Sequence, residues 1–232
     1  MSSNGNLGGF EASDLLGVNA RYAWARTVGG ADAPTIAVLD TGSTSHPDLD
    51  GRWVPGYDMV ANAAKARDGN PRDDNATDQG DWNDDPGLCG VRDSSWHGTH
   101  VAGTIGATRN NSVGIAGLVG GAKIQPVRVL AQCGGDGTDV ADGITWASGG
   151  LVPGLPANPT PAGVINLSLG GQGRCVGYVQ SAIDGAVARG SVVVVAAGNS
   201  NTNASGFFPA NCANVVTVAA LDPYGWRAGY SN

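Results

Sequence analysis

Three polar residues at the borders of apolar segments have side chains that could work together in acid–base chemistry. Asp40 follows one short apolar run, His97 opens a segment with a helical pattern, and Asn199 follows another apolar run. A neutral histidine can take a proton, while a neighbouring carboxylate fixes its tautomer and stabilises the imidazolium. An amide at the end of a buried strand can donate to a developing oxyanion. This set is typical of nucleophilic catalysis, although each residue alone also suits a turn, a helix cap or a core position.

The segment that His97 opens predicts a helix packed closely against a sheet. Its apolar residues are Val101, Ala102 and Ile105, and its small residues, such as Gly98 and Gly103, would allow a close approach. At the N-terminus of a helix, the positive end of the helix dipole predicts a lowered pKa for the imidazole of His97. A neutral His97 is the expected form, able to act as a general base.

The length and composition limit the classes of protein to which this chain can belong. A chain of 232 residues is long enough for one large domain with a buried core. No repeat or domain boundary is visible in the sequence, so we expect residues 1–232 to form a single domain. The formal net charge of -7 argues against a nucleic-acid partner, which would need clusters of Lys and Arg. No apolar run approaches the roughly 20 residues that span a bilayer. We expect a monomer that binds neither nucleic acid nor membrane.

Apolar runs alternate with helical patterns along the chain. The runs are rich in Val and Ile and are apolar on both faces, as expected for buried parallel strands; they lie at residues 35–39, 122–130, 164–169, 191–198 and 215–220. Helical patterns occur at residues 11–27, 136–147 and 178–188, besides the segment after His97. The alternation predicts an α/β fold with three αβα layers around a central, mostly parallel sheet.

Carboxylates crowd the polar, Gly- and Asn-rich loop at residues 68–93. They would repel one another there, and a hard cation with oxygen ligands, typically Ca²⁺, would relieve the repulsion. The spacing does not match an EF-hand loop, so a solvated surface insertion is the alternative. The ligand candidates in this loop are Asp73, Asp74, Asp78 and Asp81.

The four cysteines are too widely spaced for a CxxC metal site. Their even number favours two disulfides, with four buried free thiols as the alternative. These residues are Cys89, Cys133, Cys175 and Cys212.

Four segments resemble the motifs of the subtilisin-like serine proteases and follow one another in that family's order. Residues 36–42 (IAVLDTG) and 45–49 (SHPDL) resemble the aspartate motif, and residues 97–105 (HGTHVAGTI) resemble the histidine motif. Residues 166–171 (NLSLGG) are similar to the strand that pairs with substrate, and residues 196–199 (AAGN) to the oxyanion segment. The resemblance extends over nearly the whole chain and is closest to the disulfide-bearing extracellular bacterial branch.

This resemblance implies a serine endopeptidase that acts on polypeptides and has a subtilisin-like fold. Asp40 would orient His97, His97 would act as general base and then as acid, and Asn199 would donate to the oxyanion. An extended substrate would add to the protein as a β-strand. The walls of its primary specificity pocket would be formed by Ser168, Leu169 and Gly170 and by Ala196, Ala197 and Gly198. A propeptide or a protein inhibitor would be a further partner.

The resemblance also implies a structural calcium site, in which Asp48 and Asn111 would act with backbone carbonyl groups between residues 108 and 115. One residue near Arg109 is inserted relative to the family pattern, which leaves the full ligand set open.

The same resemblance pairs Cys89 with Cys133 and Cys175 with Cys212. It also implies a secreted protein, since disulfides persist in oxidising compartments. Residues 1–9 do not have the pattern of a signal peptide.

One family motif is not found in the sequence. The nucleophilic serine of the family lies in a Gly-Thr-Ser-Met-Ala-x-Pro segment, which residues 1–232 do not contain, and neither Ser168 nor Ser231 stands in that context. We therefore expect the N-terminal portion of a mature catalytic domain, incomplete at its C-terminal end and with little or no triad-dependent activity by itself. A catalytically inactive peptide-binding protein and a chain completed by a second polypeptide are the alternatives. A non-enzymatic α/β domain with a calcium-stabilised loop fits four ordered motifs poorly.

Overall fold

The computed structural model describes residue 18, residues 20–27 and residues 33–232. In these ranges the helices are α1 (Ala20–Trp24), α2 (Ala63–Ala66), α3 (His97–Gly106), α4 (Gly137–Ala147) and α5 (Gly177–Ala188). The strands are β1 (Thr35–Asp40), β2 (Tyr57–Asp58), β3 (Lys123–Arg128), β4 (Val164–Leu167), β5 (Gly171–Gln172), β6 (Val192–Ala196), β7 (Phe207–Phe208) and β8 (Val216–Val218). A helix is predicted at residues 11–27, and α1 lies within this range. Residues 11–17 lie outside the described residues.

Six strands form one parallel sheet in the order β2-β3-β1-β4-β6-β8. A separate antiparallel pair joins β5 to β7. The five long apolar runs of the sequence correspond to β1, β3, β4, β6 and β8, which confirms the predicted α/β fold with a mostly parallel sheet. None of the described helices is both long and apolar enough to cross a lipid bilayer.

The two faces of β1 pack against different helices. Leu39 belongs to a core cluster with Ile144 of α4 and Ile183 of α5. Val38 belongs to a second cluster with Ala102 of α3. Because successive side chains of a strand point to opposite faces, the sheet separates two cores and forms the middle of three layers. Asp40, two residues after Val38, therefore lies on the face that α3 covers.

Small residues let α3 lie close to the sheet. Ala102 is fully buried, and a Cβ added to Gly98 would collide with the carbonyl oxygen of Gly42. A Cβ added to Gly106 would lie 2.9 Å from Ile124 Cδ1. The start of α3 is thereby held against the loop that follows β1.

Two disulfides, Cys89–Cys133 and Cys175–Cys212, contain all four cysteines, in the pairing that the family resemblance implied. The first ties the acidic loop at residues 68–93 to the loop after β3. The second ties the segment before α5 to the loop after β7. Both cross-links brace loops at the carboxyl ends of the strands.

Replacing Cys89 and Cys133 together by serine should lower the free energy of unfolding by about 2–4 kcal/mol, because a closed loop spanning 44 positions is reopened in the unfolded chain. Urea unfolding under non-reducing conditions measures the difference. In the presence of a reductant the wild type and the variant should converge, which serves as the control. An unchanged unfolding free energy in non-reducing buffer would contradict the prediction.

Candidate active site

The centre of the site is a pair of side chains that joins the end of β1 to the start of α3. His97 Nδ1 lies 2.8 Å from Asp40 Oδ1 and 2.9 Å from Asp40 Oδ2. The backbone N–H of Thr41 also donates to Asp40 Oδ1, at 2.8 Å. The carboxylate is fully buried, whereas 44% of the His97 side chain is exposed. Since Nδ1 is occupied by Asp40, Nε2 is the ring nitrogen that can exchange a proton with another group.

The hydrogen bond to Asp40 raises the pKa of His97 above its usual value. Burial acts in the opposite direction, and the negative charges of Asp40 and Asp81 add to the rise. The lowered pKa predicted from the helix dipole is therefore wrong. A carboxylate at hydrogen-bonding distance outweighs the partial charge of a helix end, which is about half an elementary charge.

His97 lines a cleft of about 530 Å³ that also contains Ser168, Leu169 and Gly170. A neighbouring pocket of about 300 Å³ lies between residues 168–171 and 196–200, with Phe207 and Phe208 in its wall. The structure thus brings both predicted walls of the specificity pocket together, with Asn199 among the lining residues.

Sheet topology explains why these segments meet. β4 and β6 are adjacent parallel strands, with Leu167 paired to Val195. The chain leaves both strands at the same edge of the sheet, where α/β proteins place their ligands. Residues 168–170 and 197–199 therefore face each other across one pocket.

Asn232 holds the backbone on both sides of Asn199. Its Nδ2 donates to the carbonyl of Ala197 at 2.9 Å, and its backbone N–H donates to the carbonyl of Gly198 at 3.0 Å. Its Oδ1 accepts from the N–H of Ser200 at 2.8 Å. Among the described residues the Asn199 side chain has no hydrogen-bond partner, so its amide is free to donate. No sequence pattern pointed to Asn232, because it lies far from Asn199 along the chain.

Two carboxylates of the acidic loop bind protein groups near the active site. Asp78 Oδ2 accepts from the Thr41 hydroxyl at 2.6 Å, and Asp78 Oδ1 accepts from the N–H of Gly80 at 2.8 Å. Asp81 accepts from the N–H of Ser95 at 2.6 Å and from its hydroxyl at 3.1 Å. These interactions fix the loop beside His97.

A second group of carboxylates joins β2 to the start of the acidic loop. Oxygen atoms of Asp58, Asp68 and Asp73 all lie within 4.8 Å of one another, a spacing that could hold a metal ion. Asp74 lies outside this group and is exposed. Of the four ligand candidates in the loop, the structure places only Asp73 in the cluster.

Arg128 partly neutralises this cluster. Its buried guanidinium lies 2.7 Å from Asp58 Oδ2 and 3.0 Å from Asp68 Oδ2. Burial raises the pKa of Asp58 to about 7. Asp58 was not among the residues predicted from the sequence. The signal that could have indicated it is a lone acidic residue inside the apolar stretch at residues 57–60.

Asp48 and Asn111, the other candidate metal ligands, contact each other directly. Asn111 Nδ2 donates to Asp48 Oδ1, and the backbone N–H of Ile115 donates to Asp48 Oδ2, both at 2.8 Å. Burial of Asp48 opposes its ionisation, but these hydrogen bonds outweigh that effect and lower the pKa of its carboxyl. A carboxylate offers about four lone-pair sites, so Asp48 retains capacity for a cation.

The model of the subtilase family matches residues 31–232. The chain belongs to the subtilase family. It is 55% identical over 219 residues to the extracellular protease of Xanthomonas campestris pv. campestris, covering 93% of this chain and 37% of the relative. It is 47% identical over 223 residues to the extracellular basic protease of Dichelobacter nodosus, again covering 93% of this chain and 37% of the relative.

Solved subtilase structures share the fold of this chain. A protease from Pseudoalteromonas arctica superposes with a TM-score of 0.88 at 50% identity, covering 93% of this chain and 64% of that one. A cold-adapted subtilisin-like serine proteinase superposes with a TM-score of 0.62 at 32% identity, covering 85% and 58%. The chain spans little more than a third of the length of the two extracellular relatives named above.

Replacing Asp40 by asparagine should lower the pKa of His97, because the amide keeps the size of the carboxylate but not its charge. NMR titration of the three histidines measures the change. His46 and His100 serve as internal controls. Since a raised pKa stabilises the folded state at low pH, the stability lost by the variant should shrink as the pH rises through the pKa of His97. An unchanged His97 pKa would contradict the prediction.

Proposed function

We propose that residues 1–232 belong to a single peptidase domain of a secreted serine endopeptidase. They supply the Asp and His of an Asp-His-Ser triad, the oxyanion donor and both walls of the substrate pocket. The observation that carries this proposal is the hydrogen bond between Asp40 and His97 at the side of a cleft lined by Ser168, Leu169 and Gly170. The names of the two extracellular relatives support secretion.

In this proposal His97 Nε2 takes the proton of a serine hydroxyl as the serine attacks the scissile carbonyl. Asp40 stabilises the imidazolium, which then protonates the leaving amine. The Asn199 amide donates to the negatively charged oxygen of the tetrahedral intermediate. No described serine hydroxyl is hydrogen-bonded to His97, and residues 1–232 lack the family's nucleophile motif. We propose that the nucleophile lies outside these residues.

Polypeptides are the proposed substrates, bound as an added strand beside residues 168–170. The described lining of the specificity pocket contains no charged side chain; Phe207 and Phe208 are its large members. An uncharged side chain before the scissile bond therefore fits this pocket best. A propeptide or protein inhibitor would bind in the same cleft.

A chimera tests the proposal. Residues 1–232 are joined to the part of the Xanthomonas protease that follows the matched region. The chimera should hydrolyse a chromogenic peptide and react with a fluorophosphonate probe, whereas residues 1–232 alone should do neither. Replacing Asn199 by alanine in the chimera should lower kcat by about 10²–10³-fold with little change in KM, a loss for which subtilisin is the standard example.

The chimera with His97 replaced by alanine is the matched control and should retain the fold without reacting with the probe. The complete Xanthomonas protease sets the activity expected of a competent domain. An inactive but folded chimera would contradict the proposed role of Asp40 and His97. Labelling of residues 1–232 alone would place the nucleophile within them and contradict that part of the proposal.

We also propose that the domain binds calcium, as the resemblance to the family implies. The donors of the cluster fit a hard cation, because the carboxylates of Asp58, Asp68 and Asp73 converge. When all three are ionised, the single guanidinium of Arg128 leaves an excess of two negative charges. Asp48 and Asn111 are proposed to hold a second ion. Bound calcium would supply charge neutralisation at these loops, and no catalytic step passes through it.

Calcium should raise the melting temperature more at about pH 8 than at about pH 5. At a pH between its ordinary pKa and about 7, Asp58 is protonated to a larger extent in the folded state than in the unfolded state. Without calcium, its contribution to the free energy of unfolding therefore falls as the pH rises through this range. Asp58→Asn should reduce the calcium effect, and Asp74→Asn, an exposed neighbour, is the matched control. Magnesium at equal concentration tests ion selectivity. Equal calcium effects in the wild type and Asp58→Asn would contradict this assignment.

A further inference from the structure

We propose that Asp78 is a positioning residue for the catalytic pair and that it acts through the hydroxyl group of Thr41. Asp78 contacts neither His97 nor Asp40 in the described hydrogen bonds, so its influence must pass through an intermediate group. The proposal takes from the proposed function only the role of His97 as the base. The hydrogen bonds that carry it are independent of any peptidase activity.

Thr41 contacts Asp40 directly and contacts the residue that follows His97. Its backbone N–H donates to Asp40 Oδ1 at 2.8 Å, and its hydroxyl oxygen accepts from the backbone N–H of Gly98 at 3.0 Å. Gly98 directly follows His97 in the first turn of α3. A shift of the Thr41 side chain would therefore move the start of α3, and with it the imidazole, relative to the carboxylate of Asp40.

The contact with Thr41 replaces a local helix cap. The first N–H groups of a helix have no partner within the helix and need an outside acceptor. Trp96, the residue at the cap position, has a left-handed backbone with φ 51° and no capping side-chain hydrogen bond. The Thr41 hydroxyl, supplied by the loop after β1, satisfies the N–H of Gly98 instead. The start of α3, where His97 lies, thus depends on Thr41, which is 57 positions from Gly98 in sequence.

Asp78 determines which way the Thr41 hydroxyl points. The donor–acceptor distance of 2.6 Å lies in the range of hydroxyl–carboxylate hydrogen bonds. An ionised carboxylate can only accept, so the hydroxyl proton is directed to Asp78 and an oxygen lone pair is left for Gly98. Without Asp78 the hydroxyl could rotate, and its proton would then face the N–H of Gly98.

Asp78 is itself rigidly held. Only 5% of it is exposed, and Gly80 N–H donates to its second oxygen. Its backbone N–H donates to the carbonyl of Ser43 at 2.9 Å. Burial raises the pKa of Asp78; the charge of Asp81 acts in the same direction and that of Arg128 in the opposite one. The negative charges of Asp40 and Asp81 help to raise the pKa of His97.

The experiment uses residues 1–232 as they are, with the NMR-measured pKa of His97 and the chemical shift of its Nδ1 proton as readouts. Asp78→Asn and Thr41→Val should each lower the His97 pKa by about 0.5 units, because a longer bond to Asp40 stabilises the imidazolium less. Thr41→Ser keeps the hydroxyl and should behave as wild type. In the Thr41→Val background, Asp78→Asn should have no further effect.

Asp81→Asn is the matched control, since Asp81 acts on His97 through its charge. Its effect on the His97 pKa should add to that of Thr41→Val. Unchanged pKa values of His46 and His100 and an unchanged circular dichroism spectrum establish that a variant is folded. A full effect of Asp78→Asn in the Thr41→Val background would overturn the proposal, because Asp78 would then act without Thr41. Wild-type values in both folded single variants would also overturn it, whatever the chimera's peptidase activity.

Discussion

The buried carboxylate of Asp40 is the constraint on which the rest of this site depends. A fully buried charge is tolerated only when it is paired and hydrogen-bonded, and here His97 and the backbone N–H of Thr41 provide those partners. His97 can reach the carboxylate because Gly98 lets the start of α3 approach the loop after β1. The same pairing raises the pKa of His97 and leaves Nε2 open to the cleft.

The parallel sheet gathers the remaining groups around this pair. β1, β4 and β6 are consecutive neighbours and end at the same edge. Asp40, Ser168 and Asn199 each lie at the end of a different one of these strands or just beyond it. Short loops fixed by disulfides, by the contacts of Asp78 and Asp81, and by Asn232 then set the orientation of the side chains.

The sequence predicted the strands because long Val- and Ile-rich runs have few other structures open to them. It did not predict their spatial order, since that order is set by packing between distant segments. The motifs placed Asp40 and His97 in one site, but the direction of the His97 pKa shift required the actual distance to the carboxylate. Arg128 and Asp58, 70 positions apart, left no local pattern from which their buried ion pair could be read.

The contacts of Asn232 have a consequence for the order in which this site is assembled during synthesis. A chain leaves the ribosome from its N-terminus, and domains fold as their residues become available. Asp40 and His97 emerge early and can pair while later strands are still being made. The loop around Asn199 lacks its brace until residue 232 has emerged, since Asn232 supplies the bonds to Ala197, Gly198 and Ser200. The Asp40–His97 pair can therefore form before the loop around Asn199 is braced.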